Sequence, residues 1–305
     1  MRRDRDGELA PSARGRLTEQ ARERLAQQRE EAATDDAPPA GDRWSNWGDA
    51  DERGPEPYPG WLITELAAVD YELGVIKTGK EADVHLVERV LPDGGRSCLL
   101  AAKRYRTGDH RLFHRDAGYL EGRRVRETRQ RRAMANRTNF GRNLIAQQWA
   151  AAEFAALRQL WAGGAPVPYP VQRVGTELLE EFVGDPDGTA APRLVQLRPD
   201  PRELAELWRQ LLDAMVILAR GGYAHGDLSA YNLLVHDGEL VMIDLPQLVD
   251  VVANPQGRTY LERDVRAVTS WFAARGLPGE LADPGATVEL LLAEAGLGHV
   301  RMGRA

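Results

Sequence analysis

The 305-residue sequence contains one cysteine and no apolar run of the ~18 residues that a membrane-spanning helix needs. The single cysteine, Cys98, excludes a disulfide framework and a zinc site built from several cysteines. The first residues, MRRDRDGELAPSARGR, lack the apolar segment of a secretory signal peptide. We therefore expect a cytoplasmic protein that makes no contact with a membrane.

Lysine is also scarce, since only three of the 40 basic residues are lysines: Lys77, Lys80 and Lys103. All three lie within one stretch of 27 residues, and arginine supplies every other basic residue. An ammonium group is a compact charge on a flexible stem, whereas a guanidinium group is a planar fork. The cluster is a weak indication of a site at which arginine could not replace lysine.

The remaining totals describe an ordinary globular protein. The hydrophobic fraction is 43%, the charged fraction is 28% and the net charge is −6. The length allows one large domain or two lobes. Mild net acidity argues against a dedicated nucleic-acid binder, although it leaves room for a local basic patch.

Residues 1–57 differ in composition from the rest of the chain. They hold ten arginines and fourteen acidic residues, but three leucines and no isoleucine, valine or phenylalanine. Such a stretch buries too little apolar surface to offset its ordering entropy, so we expect a disordered charged tail, with a transient helix at 18–31. Trp44 and Trp47 are unusual in this company, and they indicate either a short patch that folds back on the domain or a docking motif for another protein.

From Trp61 the sequence becomes globular. Residues 61–73 predict a short helix, and two strands follow around a tight turn at Thr78-Gly79-Lys80-Glu81. A third strand carries Lys103. Residues 106–142 then hold eleven arginines against four acidic residues.

The second half of the chain is mainly helical in its pattern. A helix is predicted over 144–161, and a strand then runs into a connector near 183. A long apolar helix ends at Gly221-Gly222, and Asp237-Gly238 predicts a hairpin between two short strands. Two further helices are predicted over 260–275 and 286–295. Together these elements indicate an α+β fold.

The decisive segment is HGDLSAYN, in which Asp227 and Asn232 lie five positions apart, followed by the hairpin and Asp244. In phosphotransferases, one carboxylate orients or deprotonates the acceptor hydroxyl, while an amide and a second carboxylate hold a divalent metal on the nucleotide phosphates. Each residue alone would more simply cap a turn or end a strand. Their joint spacing around a hairpin favours phosphotransfer.

The first half should supply the nucleotide cradle. Lys103 is placed to meet phosphates, and Glu153, in the middle of an apolar helix face, needs a cation to offset its burial. A snorkelling surface lysine and a helix-rim glutamate are the simpler alternative. No G-x-G-x-x-G loop is present, but Thr78, Lys80 and backbone N–H groups around Gly79 could contact phosphate oxygens.

At these residues the sequence resembles a RIO-type atypical serine/threonine protein kinase, over roughly residues 61–275. The resemblance rests on motifs that occur in the family's order: TGKEADV, AAKRYR, WAAAEFAAL, EEFVG, HGDLSAYN, IDLPQ and NPQG followed by YLERDV. It implies a two-lobed protein-kinase-like fold with a small antiparallel β-sheet N-lobe at 58–183 and a mainly helical, reduced C-lobe at 184–305. The arginine-rich segment 106–142 would be a mobile insert of the N-lobe.

The resemblance also implies the use of ATP and Mg²⁺ and a protein substrate or autophosphorylation. ATP would bind near 181–183. The implied roles are as follows: Asp227 and Asp244 catalytic; Asn232 and Asp244 metal-binding; Thr78, Lys80, Lys103, Glu153, Glu181, Val183 and Ser229 on the nucleotide side. Asp264 is expected to brace the catalytic loop.

Some members of the family act chiefly as ATPases in ribosome maturation, with the metal-binding aspartate transiently phosphorylated. This would give Asp244 a second role. The arginine-rich insert suggests a contact with RNA or the ribosome. Two features depart from the usual kinase pattern: Glu180 stands where an apolar gatekeeper is usual, and Pro246 makes the metal motif D-L-P.

Two other functions fit parts of the sequence. A small-molecule kinase of the aminoglycoside or choline type shares the H-G-D-L-x-x-x-N pattern, although TGKEA is not the loop of that group. The second alternative is a nucleotide-gated scaffold whose arginine-rich insert binds RNA or an acidic protein.

Overall fold

The computed structural model describes residues 38, 40–92, 95–106 and 139–297, and these form a β-rich part followed by a mainly helical part. The strands of the main sheet are β1 (Arg43–Trp44), β2 (Glu52–Arg53), β3 (Val69–Thr78), β4 (Ala82–Val90), β5 (Ser97–Tyr105), β6 (Pro170–Val174) and β7 (Glu177–Glu181). Two small sheets pair β8 (Tyr223–Ala224) with β11 (Val249–Asp250), and β9 (Leu233–His236) with β10 (Glu239–Met242). The helices are α1 (Asn139–Ala162), α2 (Pro201–Arg220), α3 (Gly257–Ala273) and α4 (Pro284–Glu294), with a 3₁₀ helix at Leu194–Gln196.

The main sheet is antiparallel, and its strand order is β1-β3-β4-β5-β7-β6-β2. The β3–β4 hairpin turns at Gly79, whose N–H donates to the Ala82 carbonyl at 2.9 Å. Lys103, in the central strand β5, lies opposite Val84 on one side and Leu178 on the other. The strands predicted around the Thr78–Glu81 turn and Lys103 are confirmed.

The segment 40–57 supplies both edge strands of this sheet, β1 at one edge and β2 at the other. Trp47 is buried and packs edge-on against Tyr58, with ring centroids 5.2 Å apart. The Arg53 guanidinium donates to the Trp47 carbonyl. This corrects the tail boundary expected at residue 57: the sheet already begins near residue 40, because the buried Trp47 and short edge pairings anchor an otherwise polar stretch.

The short helix expected over residues 61–73 is not formed; turns lead instead into β3, which starts at Val69. A fully buried ion pair explains the difference. Asp70 accepts two hydrogen bonds from Arg89 of β4, at 2.8 and 3.2 Å, and Arg89 also donates to Gln172 of β6 at 3.0 Å. Only the strand register places Asp70 opposite Arg89.

The helices follow the predicted pattern. Asp200 caps α2 by accepting the N–H groups of Arg202 and Glu203, Pro201 opens the helix, and Gly222, with φ of 80°, ends it. One apolar core joins α2, α3 and α4 to the inner face of α1 and the small strands. The hairpin at Asp237-Gly238 is confirmed, as are the α+β class and the division into a small antiparallel sheet and a helical part.

The helix expected over 18–31 and nearly all of the arginine-rich segment 106–142 lie outside the described residues. Among the residues that the structure describes, no helix has the length and apolar character needed to cross a membrane.

Candidate active site

The loop between β8 and β9 holds Asp227 and is fixed by hydrogen bonds to its backbone. Asp264 of α3 accepts from Gly226 N at 2.7 Å and from Leu228 N at 3.0 Å. The Arg263 guanidinium donates to the Gly226 carbonyl. These contacts fix the backbone on both sides of Asp227, and they show Asp264 in the bracing position expected from the sequence.

Gly226 is required by the backbone at this point. Its φ is 83°, and a Cβ atom there would lie 2.3 Å from the Gln247 carbonyl oxygen. The left-handed region and the close approach both favour glycine. Next to it, His225 is buried and its Nε2 contacts the Ile243 carbonyl at 3.1 Å, which joins the loop to the residue before Asp244.

Asn232 is held in a defined orientation next to this loop. Its Nδ2 donates to the Asp227 carbonyl at 2.9 Å, and its backbone N donates to the Ser229 carbonyl at 2.9 Å. Because Nδ2 is used in the hydrogen bond to Asp227, Oδ1 is the side-chain atom that is left to coordinate a metal ion or to accept a hydrogen bond. The Asn232 carbonyl accepts from Ile243 N at 3.0 Å, so Asn232 and Asp244 are linked through one residue.

Asp244 follows β10 in a left-handed conformation, with φ of 68°. Non-glycine residues adopt this region rarely, and mostly at functional sites and turns. The Lys103 ammonium lies 2.9 Å from its Oδ1. That positive charge is the main cause that lowers the Asp244 pKa to about 2, so the carboxylate is ionised at neutral pH.

Lys103 also forms the predicted ion pair with Glu153 of α1, at 2.6 Å. Glu153 is almost fully buried, and its Oε2 accepts from the Tyr105 hydroxyl. Leu245 N lies 3.3 Å from Glu153 Oε1, so the same carboxylate also contacts the loop after Asp244. The buried carboxylate noted in the helix pattern is thus fully compensated.

Glu180 adds a third carboxyl group near Lys103. It lies opposite Ala101 in the β5–β7 ladder, two residues from the Lys103–Leu178 register, and therefore on the same face as Lys103. Burial and then the negative charge of Glu153 raise the pKa of Glu180 to about 8. A neutral carboxylic acid at pH 7 explains how this departure from an apolar gatekeeper is accommodated.

A cavity of about 770 Å³ lies between the sheet and the helical part. Of the residues expected on the nucleotide side, Lys80, Lys103, Glu181 and Val183 line it, together with Asp244, which was expected to be catalytic and metal-binding. Its apolar wall includes Val84, Ala101, Val183, Leu234 and Ile243. A wall that combines apolar surface with charged side chains suits a ligand that has a flat base and an anionic group.

Other predicted residues lie elsewhere. Thr78 is absent from the cavity wall. The main cause that lowers the Asp83 pKa is the hydrogen bond from Arg106, and a hydrogen bond from the Thr78 hydroxyl lowers it further. Glu181 does line the cavity, but its carboxylate also accepts a hydrogen bond from Tyr169 N at 3.0 Å. Asp227, Ser229 and Asn232 lie on the catalytic loop beyond the cavity wall, and Glu153 lies behind Lys103.

The oxygen donors present fit a magnesium ion. Among the described residues, no group of three or more His, Cys, Asp or Glu side chains forms a metal cluster. Magnesium commonly takes one or two protein carboxylates and fills its other positions with water and substrate phosphates. Asn232 Oδ1 and the ionised Asp244 carboxylate supply such a sparse set.

Two cationic residues of the cavity wall are additional to the expected site, Lys77 and Arg193. The clustering of the three lysines is the sequence signal that points to Lys77. Arg193 carries no such signal among 37 arginines.

The chain is similar in sequence to proteins of one known family. The family model of the RIO domain matches residues 97–283. The RIO-type serine/threonine-protein kinase Rio1 of Haloferax volcanii is 36% identical over 218 residues, which cover 71% of this chain and 68% of that protein. Serine/threonine-protein kinase RIO1 of Chaetomium thermophilum is 32% identical over 213 residues, covering 67% of this chain and 40% of that protein. Serine/threonine-protein kinase rio2 of Schizosaccharomyces pombe is 30% identical over 221 residues, covering 70% and 59%.

Proposed function

Because the chain belongs to the RIO domain family of serine/threonine protein kinases, we propose that it binds ATP with Mg²⁺ in the cleft and transfers the γ-phosphate to a serine or threonine hydroxyl. The observation that carries this proposal is the position of Lys103, whose ammonium contacts Glu153 and Asp244 at once. That contact brings the nucleotide side and the metal side of the site to one point. The family match does not favour the small-molecule kinase or scaffold alternatives.

In this proposal, Asp227 orients the acceptor hydroxyl and takes its proton as the acceptor oxygen bonds to the γ-phosphorus. The bond from the γ-phosphorus to the β–γ bridging oxygen breaks, and ADP leaves. Lys103, held by Glu153, directs its charge at the phosphates. Magnesium, when bound at Asn232 and Asp244, neutralises charge on the phosphates.

Asp264 and Asn232 serve the reaction by position. Asp264 accepts hydrogen bonds from the backbone N–H groups of Gly226 and Leu228, on either side of Asp227. Asn232 donates a hydrogen bond to the Asp227 carbonyl. Because the loop is already held in place, no free energy is needed to rearrange it when charge develops in the transition state. Ser229, on the same loop, is proposed to lie on the nucleotide side of the site.

Binding is tested first with thermal unfolding in the presence of ATP and Mg²⁺. A ligand at a hundred times its Kd stabilises the folded state by about 2.7 kcal/mol, so a clear rise in Tm is expected. Asn232→Ala should reduce the part of the rise that depends on magnesium. If the wild-type protein shows no shift with ATP and Mg²⁺, the proposed function fails.

A second candidate function is ATP hydrolysis through a phosphorylated aspartate. Asp244 favours it, because its carboxylate is ionised and its side chain is 38% exposed. A carboxylate oxygen of Asp244 would bond to the γ-phosphorus, ADP would leave, and water would then hydrolyse the acyl phosphate. Hydroxylamine treatment of protein labelled with γ-³²P-ATP separates the two modes: an acyl phosphate is lost, whereas phosphoserine is retained.

A protein substrate or the chain itself is the proposed phosphate acceptor, and the proposed location is the cytoplasm. The RNA or ribosomal contact assigned to residues 106–142 involves a segment that lies almost wholly outside the described residues.

A further inference from the structure

Two cations face the cavity from opposite sides of the cleft, in addition to Lys80 and Lys103. Lys77 is near the end of β3, in the sheet, and Arg193 directly precedes the 3₁₀ helix Leu194–Gln196. The backbone of Arg193 is bridged to Leu234 of β9, and its Nη1 donates to the Tyr231 carbonyl in the catalytic loop. Arg193 is therefore fixed to the helical part, and Lys77 to the sheet.

In the part of the chain that the structure describes, neither cation forms an ion pair with an anionic partner of its own. Within the described residues, Lys103 contacts two carboxylates, whereas Lys77 and Arg193 form no ion pair with any. Arg193 uses one nitrogen on a neutral carbonyl, which leaves its positive charge unneutralised. The rest of the chain neutralises many of its arginines, as at Arg104, Arg173 and Arg209.

The two charges also act on each other. The pKa of Lys77 is lowered, first by desolvation and next by the positive charge of Arg193; Lys103 adds to this, while Asp244 and Glu153 oppose it. Like charges held around one cavity destabilise the ligand-free form, and an anion placed between them removes that cost. This arrangement is that of an anion-binding site.

We propose that Lys77 and Arg193 together bind the phosphate groups of the nucleotide and draw the sheet and the helical part together around them. The inference rests on the proposed function, because the ligand is the same nucleoside triphosphate. The apolar wall at Val84, Ala101 and Leu234 suits the base. The polyphosphate is the part of the ligand that carries negative charge, and this charge would neutralise the two cations. The pair therefore adds to the preference for a triphosphate over the bare nucleoside that Lys80 and Lys103 already favour.

The test is to measure binding of ATP and of adenosine, each with Mg²⁺, to the wild-type chain and to Lys77→Gln and Arg193→Gln. A charged hydrogen bond to phosphate predicts that each variant weakens ATP binding by about tenfold or more, while adenosine binding changes less than about twofold. Arg202→Gln is the matched control, since it removes the same charge from an exposed position in the first turn of α2, outside the cavity.

Stability without nucleotide gives a second readout. Lys77→Gln removes a repulsion, so the Tm of the nucleotide-free protein should stay equal or rise while ATP binding falls. A purely structural role for Lys77 predicts the opposite, a lower Tm with ATP and adenosine affected alike, and that result would overturn the inference. Wild-type affinity for ATP in both variants would overturn it too, yet leave the proposed function standing. Failure of the wild-type protein to bind ATP would overturn both.

Discussion

Lys103 Nζ lies 2.9 Å from Asp244 Oδ1, and this contact ties the central strand of the sheet to the residue that follows β10. The same ammonium lies 2.6 Å from Glu153. One cation thus contacts two carboxylates, one from α1 and one from the residue after β10. Its charge keeps Asp244 ionised and compensates the burial of Glu153.

Lys103→Arg is expected to reduce phosphate transfer by roughly 10²-fold while the protein stays folded. Arginine keeps the charge, but a planar fork does not fit the small space in which the ammonium meets both Glu153 and Asp244. Steady-state transfer from γ-labelled ATP and a thermal melt measure the two effects. Full activity in this variant would show that the clustering of the lysines is accidental.

Gly226→Ala is expected to destabilise the catalytic loop, because the new Cβ would lie 2.3 Å from the Gln247 carbonyl oxygen. Gly238→Ala is its control: φ is 81°, close to the 83° of Gly226, but no atom lies within 4 Å of the added Cβ. The control should lose about 1 kcal/mol, from the backbone conformation alone. Gly226→Ala should lose more than this and should also lose transfer activity. Equal losses of stability in urea titrations would contradict the account.

Glu180→Gln is expected to change how stability depends on pH. In the folded protein, the Glu180 carboxyl keeps its proton up to a pKa of about 8, whereas its ordinary pKa is 4.5. Between these values the folded state binds the extra proton, so the stability contributed at this position falls as pH rises, by up to about 1.4 kcal/mol per pH unit. Glutamine does not titrate.

The free energy of unfolding of Glu180→Gln minus that of the wild-type protein should therefore grow from pH 5 to pH 8 and then level off. Urea titrations at four or five pH values measure this difference. A difference that is flat with pH would show that Glu180 is ionised in the cleft.

Trp47→Ala is expected to destabilise the protein by about 3–5 kcal/mol, since Trp47 is buried against Tyr58. Trp44→Ala is the matched control, because Trp44 is 38% exposed in the neighbouring edge strand. It should cost clearly less. If both substitutions are neutral, residues 40–57 do not belong to the folded sheet in solution.

Local sequence patterns predicted the elements whose cause is local. Asp237-Gly238 predicts its hairpin, and the apolar face of α1 predicts that Glu153 needs a cation. The spacing of three residues predicts the active site, because a loop and a following hairpin separate them: Asp227, Asn232 and Asp244. These relations span few residues.

Sequence reasoning missed the features that depend on distant partners. The start of β3 is set by the burial of Asp70 against Arg89, 19 residues along the chain, and no periodicity in 61–73 shows this. The edge strands β1 and β2 form only because β3 and β6 present open edges. Lys77 and Arg193 are more than a hundred positions apart in the sequence, and only the folded cleft brings them to one cavity.

Transfer of label from γ-³²P-ATP by the wild-type protein and by Asp227→Asn, with Mg²⁺ and with nucleotide binding checked in parallel, tests the central claim most directly. The account predicts that the wild-type protein labels itself or a protein acceptor on serine or threonine. Asp227→Asn should bind ATP with nearly unchanged affinity and lose this labelling. Equal labelling of serine or threonine by both proteins would contradict the role of Asp227 and, with it, the proposed active site.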